Sequence, residues 1–243
     1  EEVAPMALML CKTTQIKLAK LVPILVKKKW RALQYGSKEF QMEFVKKNLN
    51  MFMYASDELR GNRDIVLPAV QKYGCALEYA SDDLRGNRDI VLAAARKDCI
   101  ALQNASLQLQ DDKNFVLEMV NKYGSALKFT SDRLKRDRDI VLAAFQKKEP
   151  ALQYASLELQ RKLVEEVWSM LEFASEKLQD DRKFILEMVK KDGRALQFAS
   201  MVFEDDKEIV LAAVQKYGCA LEYASAELQG DIEVVMAAGN ENG

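Results

Sequence analysis

Ala76-Leu77-Glu78-Tyr79-Ala80-Ser81-Asp82-Asp83-Leu84 decides the fold, because its pattern returns along the chain, most plainly as Ala220-Leu221-Glu222-Tyr223-Ala224-Ser225-Ala226-Glu227-Leu228. Anchored on the serine, it recurs at Ser37, Ser56, Ser81, Ser106, Ser131, Ser156, Ser175, Ser200 and Ser225, at intervals of 19, 25, 25, 25, 25, 19, 25 and 25 residues. A fixed period of this size marks a repeat architecture, in which each unit leans on its neighbours.

Working outward from the serine, the apolar residues keep a helical phase. In the Ser131 copy they are Ala126, Leu127, Phe129, Thr130 and Leu134. These share one helical face, so the stretch predicts an α-helix running through the serine. Six residues past each full-length copy's serine stands an Asn or Asp: Asn62, Asn87, Asp112, Asp137, Asp181, Asp206 and Asp231. Those side chains suit a helix N-cap, where they accept from orphan amides of the first turn. Apolar residues follow in phase, as in Ile65-Val66-Leu67 and Ala69-Val70, and the helix is expected to stop in a left-handed cap at Gly74, Gly124, Gly193 or Gly218. The unit therefore reads helix, glycine stop, helix, capped turn. Helices of about ten residues are marginal alone in water, so stacking must stabilise them.

After Ser37 and after Ser156 the interval is six residues short and the capped turn is missing. There the first helix (residues 43–48 and 161–168) is predicted to lack one turn, the array to change curvature, and Trp168 to fill the gap. Residues 21–30 read as a first helix that Pro23 interrupts, and Ala7-Leu8-Met9-Leu10-Cys11-Lys12 as a degenerate further copy. Residues 232–238 read as a first helix without a partner. The expected organisation is one all-α solenoid of about nine repeats: 1–30 a degenerate repeat or cap, 31–231 regular repeats, 232–243 a half-repeat. Residues 69–81 and 213–225 are identical, which points to internal duplication.

The pattern in Asn87-Arg88-Asp89-Ile90-Val91-Leu92-Ala93-Ala94, followed by Ala101-Leu102-Gln103-Asn104-Ala105-Ser106, resembles the tandem repeats known as domain of unknown function 4116. The resemblance covers the chain from about Leu21 onward and implies an all-helical repeat scaffold. Such arrays occur in algae and other protists and in some effectors of intracellular bacteria. The family brings no catalytic residues to carry over.

Composition narrows the function. The 243 residues are 49% hydrophobic and 30% charged, as expected of a folded soluble chain, and no apolar run is long enough for a membrane-spanning helix. Glu1-Glu2 and the lack of a basic lead-in to the apolar run 6–11 argue against a secretory signal. There is no histidine, which removes the commonest general base and metal ligand. The four cysteines, Cys11, Cys75, Cys99 and Cys219, read as buried or half-buried small hydrophobes in a reducing compartment. No phosphate loop, zinc-spaced set, calcium loop or dinucleotide fingerprint is present. Acidic pairs such as Asp82-Asp83, Asp111-Asp112 and Asp180-Asp181 read as caps and macrodipole partners.

Three sets of residues invite a functional reading. The nine serines lack a partner base, and their repetition argues for a packing role in which the hydroxyl bonds back to a carbonyl one turn earlier. The aromatic series Tyr35, Tyr54, Tyr79, Phe129, Tyr154, Phe173, Phe198 and Tyr223, broken by Asn104, could stack bases or pigments, but its phase places most rings in the core. A basic series, Arg63, Arg88, Lys113, Arg138, Arg182 and Lys207, follows each cap directly, where the helix macrodipole disfavours a cation. It either pairs with neighbouring acids or forms a ridge that reads an acidic partner, with Lys27, Lys28 and Lys29 sharpening the positive end. Residues 1–50 carry a net charge of +6 and residues 201–243 one of −7, so an elongated array would be dipolar.

The reading that results is a non-catalytic protein-interaction scaffold, a linker or peripheral subunit of a larger assembly. It expects no cofactor, metal or small-molecule substrate, and an intracellular setting, an organelle such as a plastid included. The alternatives are a nucleic-acid-binding array, which the near-zero net charge disfavours, and the binding module of a secreted effector.

Overall fold

The structure, a computed structural model, describes residues 30–147 and 151–240, and every regular element among them is helical. The copy at 7–12, Pro23 and its kink, Cys11 and Lys27–29 lie outside the described residues. The chain divides into two units, Glu1–Phe115 and Val116–Gly243. Both are built from the same repeat, so the fold is an all-α repeat fold of the solenoid class.

Each repeat begins as its sequence dictates. All seven Asn and Asp caps accept a first-turn amide: Asn62 from Asp64, Asn87 from Ile90, Asp112 from Phe115, Asp137 from Asp139 and Ile140, Asp181 from Phe184, Asp206 from Ile209, and Asp231 from Glu233 and Val234. The long helix that follows, such as Arg63–Lys72 or Arg88–Lys97, buries one stripe completely: Ile65, Val66, Ala69 and Val70 in the first, Ile90, Val91, Ala94 and Ala95 in the second. Burying a Val or Ile side chain contributes roughly 1.5–3 kcal/mol, so the two or three such positions in each stripe, with the alanines beside them, outweigh the weak propensity of an isolated ten-residue helix.

The second helix is not the α-helix that the spacing predicts. Gly74–Tyr79 is a 3-10 helix of six residues, and the chain then extends through Ala80 (ψ 155°) and Ser81 (ψ 158°) before the four-residue α-helix Asp82–Arg85. The 3-10 turn places every third residue on one face; Gly74, Leu77 and Ala80 are buried on it, with Ala76 buried beside them. A spacing of three suits both helix types, and no Gly or Pro marks the break at Ala-Ser.

The serine role changes accordingly. At five of the nine copies its Oγ accepts from the amide three residues on, at Phe40, Leu109, Leu134, Leu159 and Leu228, which makes the serine an N-cap there. Its own amide ties it to the preceding repeat. Ser81 N–H donates to the Arg60 carbonyl, Ser106 to Arg85, Ser156 to Lys135, Ser200 to Gln179 and Ser225 to Glu204, at 2.9–3.2 Å.

The glycines do not form left-handed caps either. The residue between the long helix and the glycine is extended Tyr73, Tyr123, Asp192 or Tyr217, and the glycine then opens the 3-10 segment. Neither Gly74 nor Gly193 has a positive φ; both are needed because the next repeat's long helix packs onto them. A Cβ at Gly74 would lie 2.8 Å from the Ala94 carbonyl oxygen, and one at Gly193 would collide with that of Ala213 and come within 2.9 Å of Tyr217 Cβ.

In the two short repeats the long helix keeps its full length. Lys38–Lys47 and Leu157–Glu166 each have ten residues, so the deletion removes the short helix and capped loop instead of a helical turn. Ser37 and Ser156 cap these long helices directly. The loss also removes the carbonyl that would receive the next serine, and a glutamine side chain replaces it. Gln41 Oε1 accepts from Ser56 N (3.0 Å), and Gln160 Oε1 from Ser175 N (2.9 Å) and Ser175 Oγ (2.8 Å). Their Nε2 groups donate to Gly36 and Ala155 carbonyls at 2.8 Å. Gln41 and Gln160 are 3% and 1% exposed, occupying a core slot that is aliphatic in the long repeats.

Cys75 and Cys219 are exposed and Cys99 is half-buried, so two of the cysteines are not the sheltered hydrophobes expected. They sit at the start of the 3-10 segment, one residue off its buried face. No described helix is long and apolar enough to cross a membrane.

Candidate interaction surface

Starting a helix with a cation needs an acid nearby, and the next repeat supplies it. Arg63 Nη2 donates to Asp89 Oδ2 (3.0 Å); Arg138 forks onto Glu166 with two contacts of 2.7 Å. Arg182 reaches Asp206 (2.7 Å) and Glu208 (2.6 Å), and Lys207 reaches Asp231 and Glu233, both at 2.8 Å. Arg88 lies over the Phe115 ring, 5.4 Å from its centre, and Lys113 is exposed at the start of its helix. These hydrogen bonds hold Asp206, Asp231 and Glu166 below the usual carboxylate range and raise Arg138, Arg182 and Lys207. The pairs are half-exposed, so each is a weak contributor; what they fix is the register between neighbouring repeats.

The aromatic series is not core. All eight rings are half-buried, from Tyr35 through Tyr223, as is Asn104 in the same slot. The reason is the 3-10 geometry: the ring stands two residues after the buried leucine, off the buried face. The rings touch neighbours across repeats: Phe173 meets Phe145 edge-on at 5.3 Å, and Phe198 stacks on Trp168 at 6.0 Å. Lys128 lies 5.9 Å from the centres of both Phe129 and Tyr154. Trp168 stands where other repeats place glycine, half-buried, with the Arg194 guanidinium 4.7 Å over its ring.

A second set of cations escaped the sequence reading. The last turn of most long helices is basic: Lys46 and Lys47, Lys72, Arg96 and Lys97, Lys122, Lys190 and Lys191. The signal lay in the residues just before each stop, where the macrodipole favours positive charge. In the first unit Arg96 and Lys97 are exposed and make no ion pair with any described residue. With Gln71 and Ala93 they line a shallow hollow between Arg63–Lys72 and Arg88–Lys97.

The family model described as "Domain of unknown function (DUF4116)" matches six times in tandem, over residues 37–85, 62–110, 87–130, 112–160, 161–203 and 206–243. No curated protein and no solved structure matches the chain.

Proposed function

We propose, from the premise that the chain belongs to the DUF4116 family, that it is a non-catalytic protein-interaction scaffold, a linker or peripheral subunit of a larger assembly. The observation that carries this reading is the half-buried aromatic row, one ring for almost every repeat. Aromatic side chains held by one edge and open at the other are what protein interfaces enrich. Many of the repeated polar groups already have structural work: serines cap helices and tie repeats, Asn and Asp cap long helices, and Gln41 and Gln160 replace missing carbonyls. This supports a role in contact and not in bond-making.

Affinity purification of the intact chain from its native source, with mass spectrometry of the proteins retained, tests the proposal. A partner should co-purify in fixed ratio and be lost when Tyr79 and Tyr154 are changed to Ala. Retention of nucleic acid alone, released by salt, would instead favour base stacking on the same rings.

A further inference from the structure

The two rows of cations differ in one respect that bears on binding. At the helix starts, Arg63, Arg138, Arg182 and Lys207 are ion-paired to the next repeat. At the helix ends of the first unit, Arg96 and Lys97 are exposed and unpaired with any described residue, and Lys72 of the adjacent helix reaches only the Tyr73 ring, 5.4 Å from its centre. The macrodipole accounts for a cation at a helix end. It does not account for a hollow beside it lined by a second cation, an amide and a small floor residue, Ala93. Tyr73 and Ile100 flank that edge, 38% and 56% exposed.

We propose that this edge of the first unit, Gln71, Lys72, Tyr73, Arg96, Lys97 and Ile100, binds an acidic peptide segment of a partner protein that carries aliphatic side chains between its carboxylates. The inference rests on the scaffold reading and names its partner's chemistry. A carboxylate in the hollow meets the Arg96 fork, the Lys97 ammonium and the Gln71 amide, which is the donor set a planar anion takes best. Interleaved aliphatic groups cover Tyr73 and Ile100. The local concentration of cations is what favours a peptide over nucleic acid. Residues 30–115 carry 12 basic and 12 acidic side chains, so the unit lacks the broad positive field that phosphate backbones require.

The test uses the full chain and a fluorescent peptide of alternating Glu and Leu, read by anisotropy, with single-stranded oligothymidine as the competing probe. Saturable peptide binding that weakens with salt is expected, together with a loss of about tenfold or more in the Arg96→Glu/Lys97→Glu variant. Arg63→Gln should leave the affinity within about twofold, because Arg63 belongs to the other row. Both variants change exposed residues, and circular dichroism verifies that they fold. Failure of the peptide to bind, unchanged affinity in the double variant, or tighter binding of oligothymidine each overturns the proposal. The scaffold reading falls separately, only if the wild-type chain retains no partner protein from its source.

Discussion

Replacing Gln160 by Ala should cost far more than the same change at Gln179, although both occupy the fourth position after a repeat serine. Gln160 donates to the Ala155 carbonyl at 2.8 Å and accepts from Ser175 N and Oγ at 2.9 and 2.8 Å. Truncation strands a carbonyl and an amide at a site that is 1% exposed. Each stranded buried group costs about 1–3 kcal/mol, and the half-buried Ser175 amide belongs at the low end, so the loss is roughly 2–4 kcal/mol before any cavity term. Gln179 donates to the Leu171 carbonyl at 2.9 Å, but its backbone carbonyl already receives Ser200 N. Gln179→Ala therefore removes one half-exposed bond of ordinary length and a long one to the Glu172 carbonyl at 3.5 Å, about 0.5–1.5 kcal/mol in all. Urea unfolding followed by circular dichroism measures the difference; at a slope of about 2 kcal/mol/M the two midpoints separate by roughly 1 M. Equal midpoints would refute the claim that a side chain replaces the lost backbone acceptor.

Gly193→Ala should destabilise by about 1–3 kcal/mol through overpacking on Ala213, whereas Gly86→Ala, whose Cβ would meet nothing nearer than 3.5 Å, should be neutral or slightly stabilising in the same urea assay. Pro68 interrupts the amide ladder of the helix Arg63–Lys72, where the matching residue one repeat on is Ala93. Pro68→Ala is expected to raise stability by up to about 3 kcal/mol, read as a higher urea midpoint. The lowered carboxyls of Asp206 and Asp231 contribute stability that is complete above their unfolded pKa, about 3.9, and is lost as pH falls through the lower folded values. Acid titration of thermal stability should show that limb, and Arg182→Gln should flatten it.

Much of this fold was legible before any coordinates. The serine period gave the repeats, the Asn and Asp residues gave the long-helix starts of the full-length units, and residues such as Ile90, Val91 and Ala94 gave the buried stripe. What stayed hidden shares a cause: local spacing cannot report what the next repeat does. Leu77 and Tyr79 satisfy an α- or a 3-10 pattern alike, and only the stacked neighbour selects the tighter turn. Gly74 looks like a cap until Ala94 is seen against it. Gln160 reads as a polar surface residue because its partner serine lies 15 positions away. The basic series after the caps was visible as a candidate surface, but its acids stand 24–28 residues on. Arg96 and Lys97 stand out from the other cations only against those contacts.

The glutamine that stands in for a carbonyl has an evolutionary corollary. Gln110, Gln179 and Gln229 stand at the same count from the serine in three of the seven full-length units, so those three already contain the residue that a six-residue deletion would require. In those units a simple excision would shorten the repeat without severing the link to the adjoining unit.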